Sequence, residues 1–299
     1  MMAARKQSSL RGALRLDEPL ARYTSWRVGG PAQRLYQPAD LDDLAEFLRQ
    51  TPPDEPLLWL GLGSNLLVRD GGVRGTVIAT HGALDRLEPL DDVTLRAEAG
   101  VPCAKVARYS ARRALSGAEF LAGIPGTLGG ALAMNAGAFG AETWERVLAV
   151  ETLDRRGQRR TRAPQDYQIG YRTVRGPAGE WFVAAHLRLA PGDGARSHAL
   201  IKALLERRGR TQPMGSASCG SVFRNPPGDH AARLIEAAGL KGLCIGGACV
   251  SDKHANFILN TGNATAADIE RLIERVAQTV QRVHGVRLQP EVCIVGEPG

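Results

Sequence analysis

Residues 123–140 read GIPGTLGGALAMNAGAFG, and this stretch limits the fold more than any other. Gly123, Gly126, Gly129, Gly130, Gly137 and Gly140 share it, and it carries no charged side chain. Backbone of this kind can approach a ligand closely, and its free N–H groups can hold a pyrophosphate without side-chain charge. A second glycine loop, GLGSN (61–65), follows the apolar run LLWL (57–60), which reads as a strand. A Rossmann fingerprint would need a third glycine and a helix opening at the loop. Here Leu66-Leu67-Val68 runs on to Gly71-Gly72, too soon for that helix, so the spacing predicts strand–loop–strand. Either loop alone also fits an ordinary turn or a buried crossing. Two in one chain point to a large phosphate-bearing cofactor.

Around these loops, helical and strand patterns intermix. Asp40 precedes an amphipathic helix over 41–50, and 102–115 and 198–208 have helical spacing. DHAARLIEAAG (229–239) reads as a helix with Asp229 as N-cap and Gly239 at its end. Thr265 and Asp268 form a capping-box pattern. The helix they open carries Ile269, Leu272, Ile273, Val276, Val280 and Val283 on one stripe and stops at Gly285. Strands are expected over 66–68, 77–80, 93–99, 147–154, 181–189, 257–260 and 286–296, the last broken by Pro290. PGDG (191–194) is the clearest break and the expected domain boundary.

At 299 residues the chain has room for two or three domains. Its opening, MMAARKQSSLRGALRL, lacks a continuous apolar core and reads as a loose tail over 1–16 rather than a secretory signal. No apolar run reaches membrane-spanning length. The five cysteines, Cys103, Cys219, Cys244, Cys249 and Cys293, are odd in number and show no CxxC pair. Neither a disulfide framework nor a zinc site is expected, and a reduced, cytoplasmic setting fits. The net charge of +7 is dispersed apart from Arg155-Arg156 and Arg159-Arg160, and aromatics make up 5%. That favours small phosphate- or carboxylate-bearing ligands over nucleic acid.

Seven motifs then occur in order: TSWRVGGPA (24–32), GLGSNLLV (61–68), the glycine-rich stretch 123–140, GYR (170–172), SCGSVFRNP (218–226), HANFILN (254–260) and LQPEV (288–292). Together they resemble the UDP-N-acetylenolpyruvoylglucosamine reductase family, also called UDP-N-acetylmuramate dehydrogenases, over about residues 17–296. The resemblance implies an α+β fold. Residues 17–192 would form an FAD-binding module of the vanillyl-alcohol-oxidase (PCMH) type, in two subdomains of about 17–80 and 81–192. Residues 193–299 would form a C-terminal α+β substrate-binding domain. It also implies non-covalent FAD, NADPH as hydride donor, no metal, and reduction of UDP-N-acetylglucosamine enolpyruvate to UDP-N-acetylmuramate for peptidoglycan. The expected partner is the small UDP-sugar, with neither nucleic acid nor membrane. A monomer is expected, although sequence leaves the oligomeric state open.

The resemblance assigns roles by position. Ser221 would deliver a proton, while Arg172 and Glu291 would flank the substrate carboxylate and polarise the intermediate. FAD would contact Gly61, Gly63, Ser64, Asn65, Leu66, Ile124, Pro125, Gly126, Thr127, Gly129, Gly130, Asn135, Ala136 and Gly137. Substrate would contact Arg208, Arg224 and Asn256, with Arg207 the runner-up to Arg208. Hydride arriving at the enolpyruvyl methylene builds negative charge on the carboxylate side, which calls for fixed positive or hydrogen-bonding partners and then an acid. The residues themselves support this less sharply. Arg172 also fits a surface ion pair, Glu291 a solvated strand end, and Arg208 a snorkelling helix residue. No histidine neighbours Ser221 in sequence and no G-x-S-x-G elbow exists, so an acylating serine has little support, although His230 or His254 could approach in space. Cys219 is expected to be a small packed residue. Val174 stands where the family often has serine, and the chain is too short for the insertion that carries a substrate-capping tyrosine in longer members.

Overall fold

Four strands of the first third form a sheet in the order Ala13–Pro19, Pro31–Gln37, Val73–Ala79, Leu57–Leu60. The computed structural model describes residues 10–299. Val73–Ala79 runs parallel to both its neighbours, and Ala13–Pro19 is an antiparallel edge. Part of the expected tail, residues 1–9, lies outside the described residues. The rest of that expectation is corrected, because Ala13–Leu16 already pair with Arg34–Gln37. Helix α1 (Leu41–Gln50) begins where Asp40 accepts the Asp43 N–H at 2.9 Å, and it packs Leu41, Leu44 and Leu48 against Ile78.

A second sheet is wholly antiparallel, in the order Arg159–Arg162, Val147–Asp154, Glu180–Arg188, Thr94–Glu98, Leu87–Pro89. Helix α2 (Cys103–Arg112) and the short α3 (Leu128–Ala133) pack on it. Helix α3 lies inside the glycine-rich stretch, where no helical pattern is legible. Helix α4 (Gly194–Thr211) opens at Asp193, whose carboxylate accepts the Ala195 N–H at 2.8 Å. It packs on the core that precedes the expected boundary at 192/193. Ile201 lies in the same core as Val106 and Leu121, and Ser197 Oγ donates to buried Glu119 at 2.6 Å.

The last unit contains α5 (Ala231–Ala237), α6 (Ala266–His284) and a small sheet of Cys244–Ile245, Ala248–Val250 and Ile258–Asn260. The Thr265–Asp268 capping box is present, and Gly285 closes α6 at φ +69°. Ile269, Leu272, Ile273, Val276 and Val280 are buried, each worth about 1.5–3 kcal/mol relative to exposure. Val283, expected on that stripe, is 53% exposed because the helix end runs past its partners. Asp229 is not the cap of α5. It pairs with Arg233, and Asn225 Oδ1 accepts the Ala231 N–H instead. Of the strand expected over 286–296, only Cys293–Val295 forms, pairing in parallel with Leu66–Val68.

Cys244 and Cys249 form a disulfide, which the sequence reading did not expect. The turn at Gly246-Gly247 sets the two residues directly opposite each other, with Cα atoms 4.1 Å apart. Cross-strand pairing, invisible in the CIGGAC spacing, supplies the proximity. No helix among the described residues is long and apolar enough to cross a membrane.

Candidate active site

The two glycine loops meet between the two large sheets. A Cβ on Gly61 would lie 2.3 Å from Thr127 Oγ1, so the loops touch only because residue 61 has no side chain. Beside this contact lies a 300 Å³ cavity walled by Gly61, Thr127, Gly129 and Gly130. Its far wall is aromatic: Trp59 stacked on Trp181 at 5.3 Å, with Tyr167 and Phe182. Three of its lining residues carry a buried polar atom with no hydrogen-bond partner among the described residues: Thr127 Oγ1, Trp59 Nε1 and Tyr167 Oη. Burial pushes the Tyr167 phenol up to about 12, so at neutral pH it is a protonated donor. Orphaned polar groups of this kind are costly unless a ligand engages them. Glycine walls, aromatic faces and unmet donors together fit the phosphate and adenosine portions of FAD.

A second cavity, 370 Å³, continues from the same loops towards the C-terminal unit. Ser64, Asn65, Ile124, Pro125, Ala136 and Gly137 line one side, and Arg172, Arg207, Arg208, Cys219, Ser221 and Glu291 the other. Arg172 occupies a two-residue turn between the short strands Gln168–Gly170 and Thr173–Arg175, at φ +53°. Non-glycine residues rarely hold this conformation, and where they do it often marks a functional site. Its guanidinium donates to the carbonyls of Asn135 (3.3 Å) and Gly137 (3.1 Å). Arg172 Nε lies 3.1 Å from Glu291 Oε1, but the N–H is not aimed at the carboxylate and has no hydrogen-bond partner.

Glu291 arrives because the strand at Cys293–Val295 pairs with Leu66–Val68. Cys293 N–H donates to Asn65 O, and Asn65 Nδ2 donates to Glu291 O, each at 3.1 Å. Val292 next to it is buried, so the alternation aims Glu291 into the cavity. Burial raises the Glu291 carboxyl above its ordinary value, against the opposing pull of Arg172 and Arg224. Burial also pushes the Cys219 thiol well up, with nearby Glu291 adding to the shift. A protonated thiol is a poor nucleophile. Ser221 lines the cavity two residues on, and no hydrogen bond from the described residues engages its hydroxyl.

Several expected contacts sit elsewhere. Asn256 is 4% exposed, and its amide bonds both backbone groups of Phe223, accepting from N–H at 2.9 Å and donating to C=O at 2.8 Å. It braces the Ser221 loop and is not among the residues lining the cavity. Leu66 is core, and Gly63 serves a turn at φ +58° whose Cβ would strike Tyr23 O. Asn135 is buried and lines neither cavity, and Gly126 lies between the loops, its carbonyl accepting the Cys103 N–H. Arg224 acts on Glu291 through charge but is not part of the cavity wall. Arg208 does line it, held by Gln212 at 2.8 Å, and its burial lowers its pKa. Val174 packs at the first cavity, away from Arg172. Sequence reasoning missed Trp59, Tyr167, Trp181 and Phe182, although the Trp-Leu pair directly before GLGSN marked a strand end facing that loop. His254 is stacked edge-on against Phe257 rather than placed at Ser221.

Comparison with known proteins accords with this geometry. A family model described as "UDP-N-acetylenolpyruvoylglucosamine reductase, C-terminal domain" matches residues 212–295, starting where α4 ends, and one described as "FAD binding domain" matches 32–162. The UDP-N-acetylenolpyruvoylglucosamine reductase of Alkalilimnicola ehrlichii is 66% identical over 99% of both chains. That of Methylococcus capsulatus is 63% identical over 99% of this chain and 97% of its own. The crystal structure of the enzyme of that name from Thermus caldophilus superposes with a TM-score of 0.81, at 34% identity over 95% of this chain and 99% of that one.

Proposed function

The chain belongs to the UDP-N-acetylenolpyruvoylglucosamine reductase family, and from that membership we propose how its own residues carry the reaction. It is an FAD-dependent oxidoreductase that uses NADPH to reduce UDP-N-acetylglucosamine enolpyruvate to UDP-N-acetylmuramate for peptidoglycan. The bound flavin supplies hydride transfer from NADPH to the enolpyruvyl group.

Everything else falls to the polypeptide. Thr127, Trp59 and Tyr167 would hold the adenosine and phosphate portions of FAD in the first cavity, and Ser64, Ile124, Pro125 and Gly137 would hold the ring end in the second. Arg172 binds the substrate carboxylate and stabilises the charge that develops there. Glu291, its carboxyl raised by burial, lies beside Arg172 at the same group. Ser221 donates its proton to the carbon next to the carboxylate. Arg207 and Arg208 face the diphosphate. The observation that carries this reading is the convergence of Ser221, Arg172 and Glu291 on one cavity whose opposite wall is built by the two glycine loops.

We place the start of the substrate-binding unit near residue 212 rather than 193. A monomer suffices, because a single chain supplies both cavities. Arg159 and Arg160 pair with Asp42 and Asp154, which argues against a nucleic-acid surface. The reductant and nucleotide sugar support a cytoplasmic setting.

Ser221→Ala tests the assignment. Stopped-flow bleaching of flavin by NADPH is expected at the wild-type rate, and its recovery on adding enolpyruvyl substrate about 10²–10⁴-fold slower. Recovery at the wild-type rate would remove Ser221 from the mechanism.

A further inference from the structure

We infer that Asn135 and Glu142 are positioning residues that fix the guanidinium of Arg172. The inference rests on the role of Arg172 given above. Neither residue lines a cavity, so neither is offered as a contact to substrate or flavin.

Arg172 reaches the cavity from a left-handed turn, and its two protein acceptors are the carbonyls of Asn135 and Gly137. Asn135 is itself left-handed, at φ +46°. Such conformations persist only where the surroundings over-determine them. Its side chain supplies that constraint in three directions. Nδ2 donates to Glu142 Oε2 at 2.7 Å and to Gly170 O at 3.2 Å, and Oδ1 accepts the Trp144 N–H at 3.2 Å. Gly170 ends the strand that leads into the Arg172 turn, so one amide ties the carbonyl that holds the guanidinium to the backbone that carries it. Glu142 anchors that amide and also pairs in register with Gly137, the second acceptor. Thr143 N–H and Oγ1 both donate to Ala136 O, between the two acceptors.

A misplacement of about 1 Å at a reacting group can cost about 10²-fold. Glu142→Ala is therefore expected to slow flavin reoxidation by enolpyruvyl substrate by about 10–10²-fold. Flavin reduction by NADPH and flavin occupancy should stay at wild-type levels. Glu142→Gln keeps an acceptor for Asn135 Nδ2 and should recover the wild-type rate within about twofold. If Glu142→Ala is insoluble, Asn135→Asp, which keeps the acceptor for Trp144 but loses the donor to Glu142, should give the same split. Wild-type reoxidation in these variants, failure of Gln to rescue, or parallel loss of occupancy and both half-reactions would each overturn the inference. Arg172→Lys separates the two readings. Slow reoxidation there with fast Glu142→Ala sinks only the positioning role, while fast reoxidation in Arg172→Lys sinks the role of Arg172 and this inference with it.

Discussion

Replacing Asn256 by Ala separates a scaffold from a substrate contact. The wild-type amide closes both backbone groups of Phe223, accepting from N–H at 2.9 Å and donating to C=O at 2.8 Å. Phe223 is 2% exposed, so water does not replace the lost partner. Each net hydrogen bond contributes about 1 kcal/mol, and each buried group left unmatched costs about 1–3 kcal/mol. Two such groups put the loss at about 2–6 kcal/mol. At about 2–4 °C per kcal/mol for a larger chain, thermal unfolding should shift down by about 4–24 °C. The same loop carries Ser221, so flavin reoxidation should slow while the apparent affinity for the enolpyruvyl substrate changes little. Calorimetry with steady-state kinetics reads both. An unchanged melting temperature together with a KM raised tenfold or more would mean that Asn256 touches substrate and that its bonds to Phe223 are incidental.

Gly130→Val should fold and lose flavin: a Cβ there meets only Thr127 Oγ1, at 3.8 Å, so the added methyls enter the first cavity. Flavin absorbance per mole of soluble protein checks this, and full occupancy would relocate the cofactor. Glu291 has its carboxyl raised in the folded state, so between its unfolded and folded values the native chain binds more protons than the unfolded one and stability falls as pH rises through that window. Glu291→Gln lacks this slope, so its melting temperature relative to wild type should climb from about pH 4.5 upward, and a flat difference would contradict the burial argument. Native protein should show one readily labelled thiol, exposed Cys293, since burial holds the Cys103 thiol up at about 12, Cys219 higher than normal, and Cys244 is paired with Cys249. Mass spectrometry after brief alkylation counts it, and rapid labelling of Cys219 would show that its pocket is open.

By itself the sequence determined what is written in local backbone and periodicity. The capped helices at Asp40 and Thr265, the stop at Gly285 and the strand–loop–strand at GLGSN all follow from contacts within a few residues. The motif order was specific enough to place Ser221, Arg172 and Glu291 together, although no spacing argument brings residues 172, 221 and 291 to one cavity. Tertiary structure decided the rest, because the deciding contacts join distant segments. Trp26 in the TSWR motif donates through Nε1 to Ile258 O at 2.7 Å, fixing the first segment to the last sheet. Asp70 accepts the Ala266 and Ala267 N–H groups at 2.9 Å and so anchors α6 to the glycine-loop unit. Helix α4 follows a clear Pro-Gly break yet buries Ile201 in the preceding core, since an apolar stripe packs wherever a complementary surface lies. Asn256 carries a side chain equally able to bind a sugar or a backbone, and only its burial beside Phe223 selected the backbone.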